Sequence, residues 1–479
     1  MNGPHTHTAG ETFRERMHEL WVMPLSFLGF ALWRVWVSLS FANPAFPLQS
    51  PVPDKFVYDL CLAATALLLA ACSNRLVPLS GRPQAYATCL ATMTASALFM
   101  AWGLELDAVP TWLALCRDVL AGVGSALMIL IWCELYATLS MVRVTVYLSL
   151  TFALGVLGTF LVQGFTPAYL QGTLVALPGL SLLCAWRSFA LRIPETERPS
   201  PGTARPIPWK FLALLAVFGL LEGLGSIRLG GEYASLVGSH STLARLVAAL
   251  TLFVFAMLPS ERLSLSVLYR SPAVLAGCGM LMVPLFGFGG SVAGAFCVSV
   301  SSSLFSSVVF LALCDASKRL GASALWLFGL EEATIVCRYA ANLVEPLLYG
   351  GALGAYANSV VSVAGVALIA AFTALLLGKR PRNDQWAGCL IHADPLENPS
   401  PAQLLHESCE RLAREHALSP RELEVLVLLA GGKSIARVAE ELIIAEGTAK
   451  AHTQHIYEKT GVTRRAELLE KVQAAGLLN

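Results

Sequence analysis

What most constrains this chain is a succession of long apolar runs. A helix needs about 20 apolar residues to cross a hydrocarbon core of roughly 30 Å. Inside that core every backbone N–H and C=O must be paired, which a helix achieves within its own segment. About twelve runs qualify, near 20–41, 56–72, 85–103, 119–137, 145–163, 169–186, 209–227, 240–258, 271–287, 291–313, 321–344 and 351–377. Only 14% of the residues are charged, against roughly 25% in soluble proteins. The apolar excess lies in residues 1–378, and the rest is ordinary in composition. Two modules are expected, a large membrane bundle and a small soluble domain, in an all-α chain. Met1–Glu19 is polar and the first run is long enough to span, so no cleaved leader is read there.

Lys and Arg in the loops give the orientation. Taking alternate loops, one side carries Arg14 and Arg16, Arg75 and Arg82, Arg143, the cluster Arg187 to Lys210, Arg262 and Arg270, Lys318 and Arg319, and Lys379 to Arg382. The other side carries only Lys55, Arg228 and, at the edge of a span, Arg117. A miscounted span would scramble this split, so it favours twelve. It implies a multi-pass protein of the inner (cytoplasmic) membrane with both termini cytoplasmic. The longest polar break in the bundle, Ser188–Pro208, follows the sixth run and divides the module into two halves. Six spans, a basic loop and six more resemble the layout of the major facilitator transporters. The loop after the second span, SNRLVPLSGRPQ, carries no clear copy of that family's usual motif.

Charge within a span is costly, and usually faces a cavity or a partner. Arg34, Glu134, Glu222, Arg245, Glu331, Glu332 and Arg338 are such residues, with Trp33, Trp36 and Trp132 close by in sequence. Glu331 and Arg338 are seven apart and are expected on one helix face. A small-molecule pocket formed by Arg34, Trp132, Glu134, Arg245, Glu331 and Arg338 is one reading. Internal ion pairs that lock the helices are the other, and a proton or ion pathway is a third. The twelve cysteines form no CxxC pair and no Cys/His cluster, so neither a metal nor a cofactor is expected.

Residues 379–417 read as a polar tether followed by a short amphipathic helix, in which Leu405, Cys409 and Leu412 share a face. From Leu418 on, four helices are marked by their stops and starts. Ser419, Pro420 and Glu422 form a capping box ahead of a helix over 420–430. Gly431-Gly432 ends it, and Ser434 caps a second helix reaching about Leu442. After the turn Ile443–Ala445, a third helix runs over about 446–460 and is closed by Gly461. Thr463 then caps a fourth, over about 464–475. Two helices joined by a tight turn form a helix-turn-helix, whose second member enters the DNA major groove. Lys450, Thr453, Gln454 and Lys459 are expected on its outward side, where they could meet base edges and phosphates.

Residues 418–469 resemble the LuxR-type (NarL/FixJ-type) helix-turn-helix domain. The matching positions are Leu418, Arg421-Glu422, Glu424-Val425-Leu426, Ala430, Gly432, Ser434, Ala439, Leu442, Ile444, Glu446-Gly447-Thr448, Lys450, His452, Ile456, Lys459, Gly461-Val462 and Arg465. The resemblance implies a four-helix domain over 418–479 that binds double-stranded DNA as a homodimer through its last helix. It implies base-facing positions at Lys450, Ala451 and Gln454, and backbone contacts from Thr448, Lys459 and Arg464 or Arg465. Ala445 stands where that family usually has a Ser or Thr cap, at a cost of about 1 kcal/mol. Eight basic residues of this domain are offset by eight acids, so phosphate neutralisation per monomer should be modest.

Together these features point to a membrane-bound, one-component transcription regulator that senses a small molecule through its bundle. The competing reading is a major-facilitator-type transporter with an appended regulatory domain. The sequence holds no P-loop, GxSxG, HExxH or histidine-kinase pattern, and no enzymatic activity is expected.

Overall fold

The computed structural model describes residues 24–42, 56–103, 109–191, 242–257, 265–319, 321–340, 401–430, 433–442 and 444–477, with short stretches near 105, within 207–220 and within 343–370. The chain divides into two compact units, Met1–Leu396 and Glu397–Asn479. Every regular element among the described residues is a helix.

In the first unit, α1 spans Phe30–Ala42, α2 Phe56–Ala71, α3 Pro83–Gly103, α4 Thr111–Tyr136, α5 Met141–Gln163 and α6 Pro167–Ala190. Then come α7 (Thr242–Met257), α8 (Leu265–Arg319) and α9 (Ala324–Glu332). Five described helices are long and apolar enough to cross a bilayer, or six if the pair Phe56–Ala71 and Ser73–Gly81, bent by 72°, is one span. Leu25–Phe41, Leu243–Met257 and Ser271–Met282 are shorter apolar helices. The expected runs 209–227 and 351–377 lie mostly outside the described residues, as does Glu222, so the count of twelve is supported in part. The chain is a multi-pass membrane protein.

The helical assignment of α8 is unbroken over its 55 residues, which at 1.5 Å per residue would be about 80 Å if straight. It is not straight. The Ser301 hydroxyl donates to the Pro272 carbonyl. A Cβ placed on Gly279 would lie 2.6 Å from the Gly294 carbonyl and 2.9 Å from Cys297 Cβ. Residues 272–279 therefore lie back along 294–301. The reversal falls in the stretch Pro284 to Gly290, whose three glycines lower helix propensity. α8 is a hairpin of two segments, at the place where the sequence divides 271–287 from 291–313.

Close packing sets the middle of the bundle. α4 is the central helix, packed on α2, α3, α6 and α9, and it is buried from Ser125 to Tyr136. Gly122 permits its approach to α2: a Cβ there would stand 2.6 Å from the Tyr58 carbonyl. Small residues at helix contacts serve this purpose in membranes, where burial from water supplies no drive between helices. At one end of the bundle Glu134 accepts hydrogen bonds from the Leu79 and Ser80 amides, at 2.8 and 2.9 Å. There too Arg82 donates to the Arg75 and Leu76 carbonyls, and Lys318 Nζ donates to the Leu139 carbonyl. The loops carrying Arg75, Arg82 and Lys318 thus share one end, as the alternation of basic loops requires.

The second unit has α10 (Pro401–Glu415), α11 (Pro420–Ala430), α12 (Ile435–Glu441), α13 (Glu446–Thr460) and α14 (Arg465–Leu477). Its core is its own: Cys409, Leu412, Val425, Leu426, Leu429, Val438, Ile456, Leu468 and Val472 are among its buried residues. Cys409 and Leu412 bring α10 into that core, packed on α11 and α14. Burial pushes the Cys409 thiol up to about 12, so it acts there as a small apolar residue.

Candidate DNA-reading face and membrane cavity

The capping box forms as the sequence specifies. The Ser419 amide donates to Glu422 Oε2 at 2.7 Å, and the Glu422 amide donates to Ser419 Oγ at 3.3 Å. Ser434 Oγ accepts from the Arg437 amide at 3.4 Å. Ala445 stands at the start of α13 with no side-chain cap. Gly461 ends α13 in the left-handed region, φ 67°, where a Cβ is disfavoured. The elements α12, turn and α13 form the helix-turn-helix, with α13 its second member.

On α13, Thr448, Lys450, Ala451, Gln454 and His455 are exposed. Lys450 lies 3.1 Å from Glu446, one turn back, and Gln454 Nε2 is 3.2 Å from Glu458 Oε1. Both contacts are between exposed side chains, which exchange easily for DNA. Arg464 is exposed just before α14. His455 belongs to this face although the sequence reading passed over it; its place one residue after Gln454 was the available signal.

The outward placement of Thr453 is corrected, and Lys459 and Arg465 are found in contacts within the domain. Thr453 is 5% exposed, not outward, and its hydroxyl donates to the Ala449 carbonyl at 2.8 Å. Ala449, Thr453, Ile456 and Thr460 are all buried, and their 4-3-4 spacing defines the inward stripe. Lys459 Nζ is held by Glu422 Oε2 at 2.6 Å, which joins the end of α13 to the start of α11. Arg465 donates to the Leu429 carbonyl at 2.7 Å and ties α14 to α11. Burial disfavours ionisation of Glu422, but hydrogen bonds from Lys459 and from the Ser419 amide and hydroxyl outweigh it. They hold the carboxyl down at about 2.

In the membrane module one cavity of about 260 Å³ is walled by Phe30, Trp33, Tyr58, Phe152, Phe218 and Phe310. Charge enters it from Arg34 of α1, Arg245 of α7, Glu331 and Glu332 at the end of α9, and Arg338. Ser302, Ser303, Ser306 and Ser307 of α8 add hydroxyls. The guanidinium of Arg34 lies 4.1 Å from the centre of the Phe152 ring. Its Nε is buried without a hydrogen-bond partner.

Two expected cavity residues do not line it. Glu134 is spent on the Leu79 and Ser80 amides. Trp132 sits behind the wall, its Nε1 donating to Ser181 Oγ at 3.1 Å and its ring stacked on Phe30 at 5.8 Å. The shared helix face of Glu331 and Arg338 is also corrected. α9 gives way after Glu332 to a 3-10 helix, Ala333–Tyr339, and Arg338 pairs with Asp59 of α2. Tyr339 donates to the same carboxylate at 2.5 Å. Asp59 is fully buried and was missed; an isolated acid within an apolar run was its signal. No group of three His, Cys, Asp or Glu side chains is placed to hold a metal ion among the described residues.

With both sites described, the comparisons are consistent. The fold defines a helix-turn-helix domain carried on a polytopic membrane bundle. The C-terminal domain is of the LuxR type: residues 416–472 match the family model GerE, bacterial regulatory proteins of the luxR family. Over 62 residues the chain is 45% identical to the probable transcriptional regulatory protein NarL of Mycobacterium tuberculosis, covering 13% of this chain and 29% of that one. Over 70 residues it is 37% identical to the HTH-type transcriptional regulator MalT of Yersinia pestis, covering 15% and 8%. The chain thus spans less than a third of the length of these relatives. A bacterial homologue of the iron transporter ferroportin, outward-facing, superposes with TM-score 0.53 at 15% identity over 74% of this chain and 98% of that one. A second structure with the same description gives 0.51 at 14%, over 76% and 98%. At such identities the likeness is one of fold alone.

Proposed function

We propose that this chain is a one-component transcription regulator of the inner membrane, with both termini cytoplasmic. The cavity of the bundle binds a small molecule, and the attached domain, paired with a second copy on DNA, reads an operator accordingly. The observation that carries this reading is the fusion itself: a LuxR-type reading helix with Lys450, Ala451 and Gln454 exposed, in one chain with a cavity where Arg34 Nε is buried without a hydrogen-bond partner among the described residues. DNA binding and ligand binding suffice for such a device, so no catalytic step is assigned. A ligand acts only through its differential affinity for two states of the protein. The test is a reporter driven by DNA upstream of the chain's own gene, together with footprinting by the full-length protein in nanodiscs. Protection lost in Lys450→Ala and Gln454→Ala supports the regulator. Unchanged protection and reporter output in both variants refute the assigned reading face.

A second reading, a transporter with an appended regulatory domain, draws support from the likeness of fold to the ferroportin homologue. Uptake of a solute into proteoliposomes, abolished by Arg34→Ala, would favour it.

A further inference from the structure

Three arginines and two glutamates face the cavity, and of the arginines Arg245 and Arg338 already have partners. Arg338 is neutralised: it pairs with Oδ2 of buried Asp59, to which Tyr339 also donates. Arg34 is different. Its Nε is buried without a partner, its guanidinium rests on the rings of Phe152, Phe30 and Trp33 at 4.1, 5.4 and 5.6 Å, and no carboxylate forms an ion pair with it among the described residues. Glu331 and Glu332 line the same cavity, and among the described residues neither carboxylate makes an ion pair or a hydrogen bond. A lone charge in hydrocarbon surroundings costs several kcal/mol. Opposite charges that share a cavity should close on each other unless something else is meant to stand between them.

We propose that the cavity takes an amino-acid-sized zwitterion, with its anionic group on Arg34, its cationic group at Glu331 and Glu332, and its apolar body against the aromatic wall. This rests on the sensory reading above and supplies its ligand class. The charges specify this class over the simpler ones. A monoanion would satisfy Arg34 and leave the two carboxylates unmatched, and a monocation would do the reverse. A site built to bond a polar group discriminates strongly against ligands that lack it, because its own groups are then left unpaired. The rings that hold the Arg34 guanidinium by cation–π contact fix one end of the site before a ligand arrives. About 260 Å³ holds a molecule of this size, not merely an ion.

The experiment is thermal unfolding of the full-length protein in lipid nanodiscs with the proteinogenic amino acids and glycine betaine. Each amino acid is paired with its N-acetyl form, which keeps only the anion, and its amide, which keeps only the cation. At least one free amino acid or the betaine should stabilise the protein. For an amino acid that does, each singly charged derivative should bind at least about tenfold more weakly, equivalent to roughly 1.4 kcal/mol. Arg34→Gln should reduce the amino acid to the level of its amide and leave the amide unchanged. Glu331→Gln with Glu332→Gln should reduce it to the level of the N-acetyl form. Should these variants fail to fold, the derivative series on the natural protein still decides. A singly charged form binding as tightly as its parent overturns the zwitterion but leaves the cavity as a ligand site. Silence of the whole series at millimolar concentration also overturns the zwitterion. The sensory reading is then judged separately, by whether Arg34→Gln alters the reporter.

Discussion

Lys459 Nζ stands 2.6 Å from Glu422 Oε2, and the same carboxylate oxygen takes the Ser419 amide at 2.7 Å. One buried carboxylate thus caps α11 and anchors the last turn of α13. His455 Nδ1 lies 3.9 Å from its other oxygen.

The Glu422 carboxyl is held at about 2, below the usual 4.5, so the folded domain favours its ionised form. That stabilisation is fully present above the ordinary carboxylate range and is lost as pH falls toward about 2. Unfolding of the fragment 397–479, which carries its own core, should show a steep loss of stability across this acid window. Glu422→Gln should be less stable at neutral pH and flatter below it. An equally steep acid limb in the variant would assign the loss to other groups.

Substitutions on α13 should divide by face. Gln454→Ala and Lys450→Ala should weaken operator binding by about 1–3 kcal/mol each where a base is read, with Tm unchanged. Thr453→Arg should do the opposite, lowering Tm because a charged chain is forced into the core stripe. Footprinting and calorimetry on the same three variants separate the two outcomes.

Glu134→Ala leaves the Leu79 and Ser80 amides without their acceptor at the end of the bundle. A buried donor left unpaired costs about 1–3 kcal/mol. The expected result is a lower Tm of the full-length protein with ligand affinity retained, because Glu134 is not in the cavity wall. Lost affinity at unchanged Tm would contradict the capping role.

Gly122→Val should disrupt the seam between α4 and α2. Its Cβ alone would stand 2.6 Å from the Tyr58 carbonyl, and backbone offers no rotamer to yield. Overpacking of this kind costs about 1–3 kcal/mol, read as a Tm loss in nanodiscs. Gly172→Ala on α6, where nothing lies within 4 Å of an added Cβ, is the control and should be neutral.

Much of this protein was fixed locally and was therefore legible in the chain. Ser419 with Glu422, Ser434 and Gly461 mark helix ends through bonds to their own near neighbours, so α11 and α13 fall on the residues the sequence indicates. Those spans that the described residues cover were legible because the bilayer imposes a length on any apolar helix, and the hairpin within α8 because its glycines interrupt one. What the sequence left open was decided at distance. Arg34, Glu331 and Arg338 are equally improbable in a span, and nothing local says that Arg338 pairs with Asp59 of α2 while Arg34 closes on no carboxylate among the described residues. Glu134 differs from Glu331 only in what the fold brings to it, two backbone amides in one case and a cavity in the other. Thr453 and Lys459 have polar side chains suited to DNA, yet the rotation of α13 against α11 buries one and pairs the other. Caps, periods and span lengths depend on neighbours a few residues away, whereas the partner of a charge depends on helices that meet only when the chain has folded.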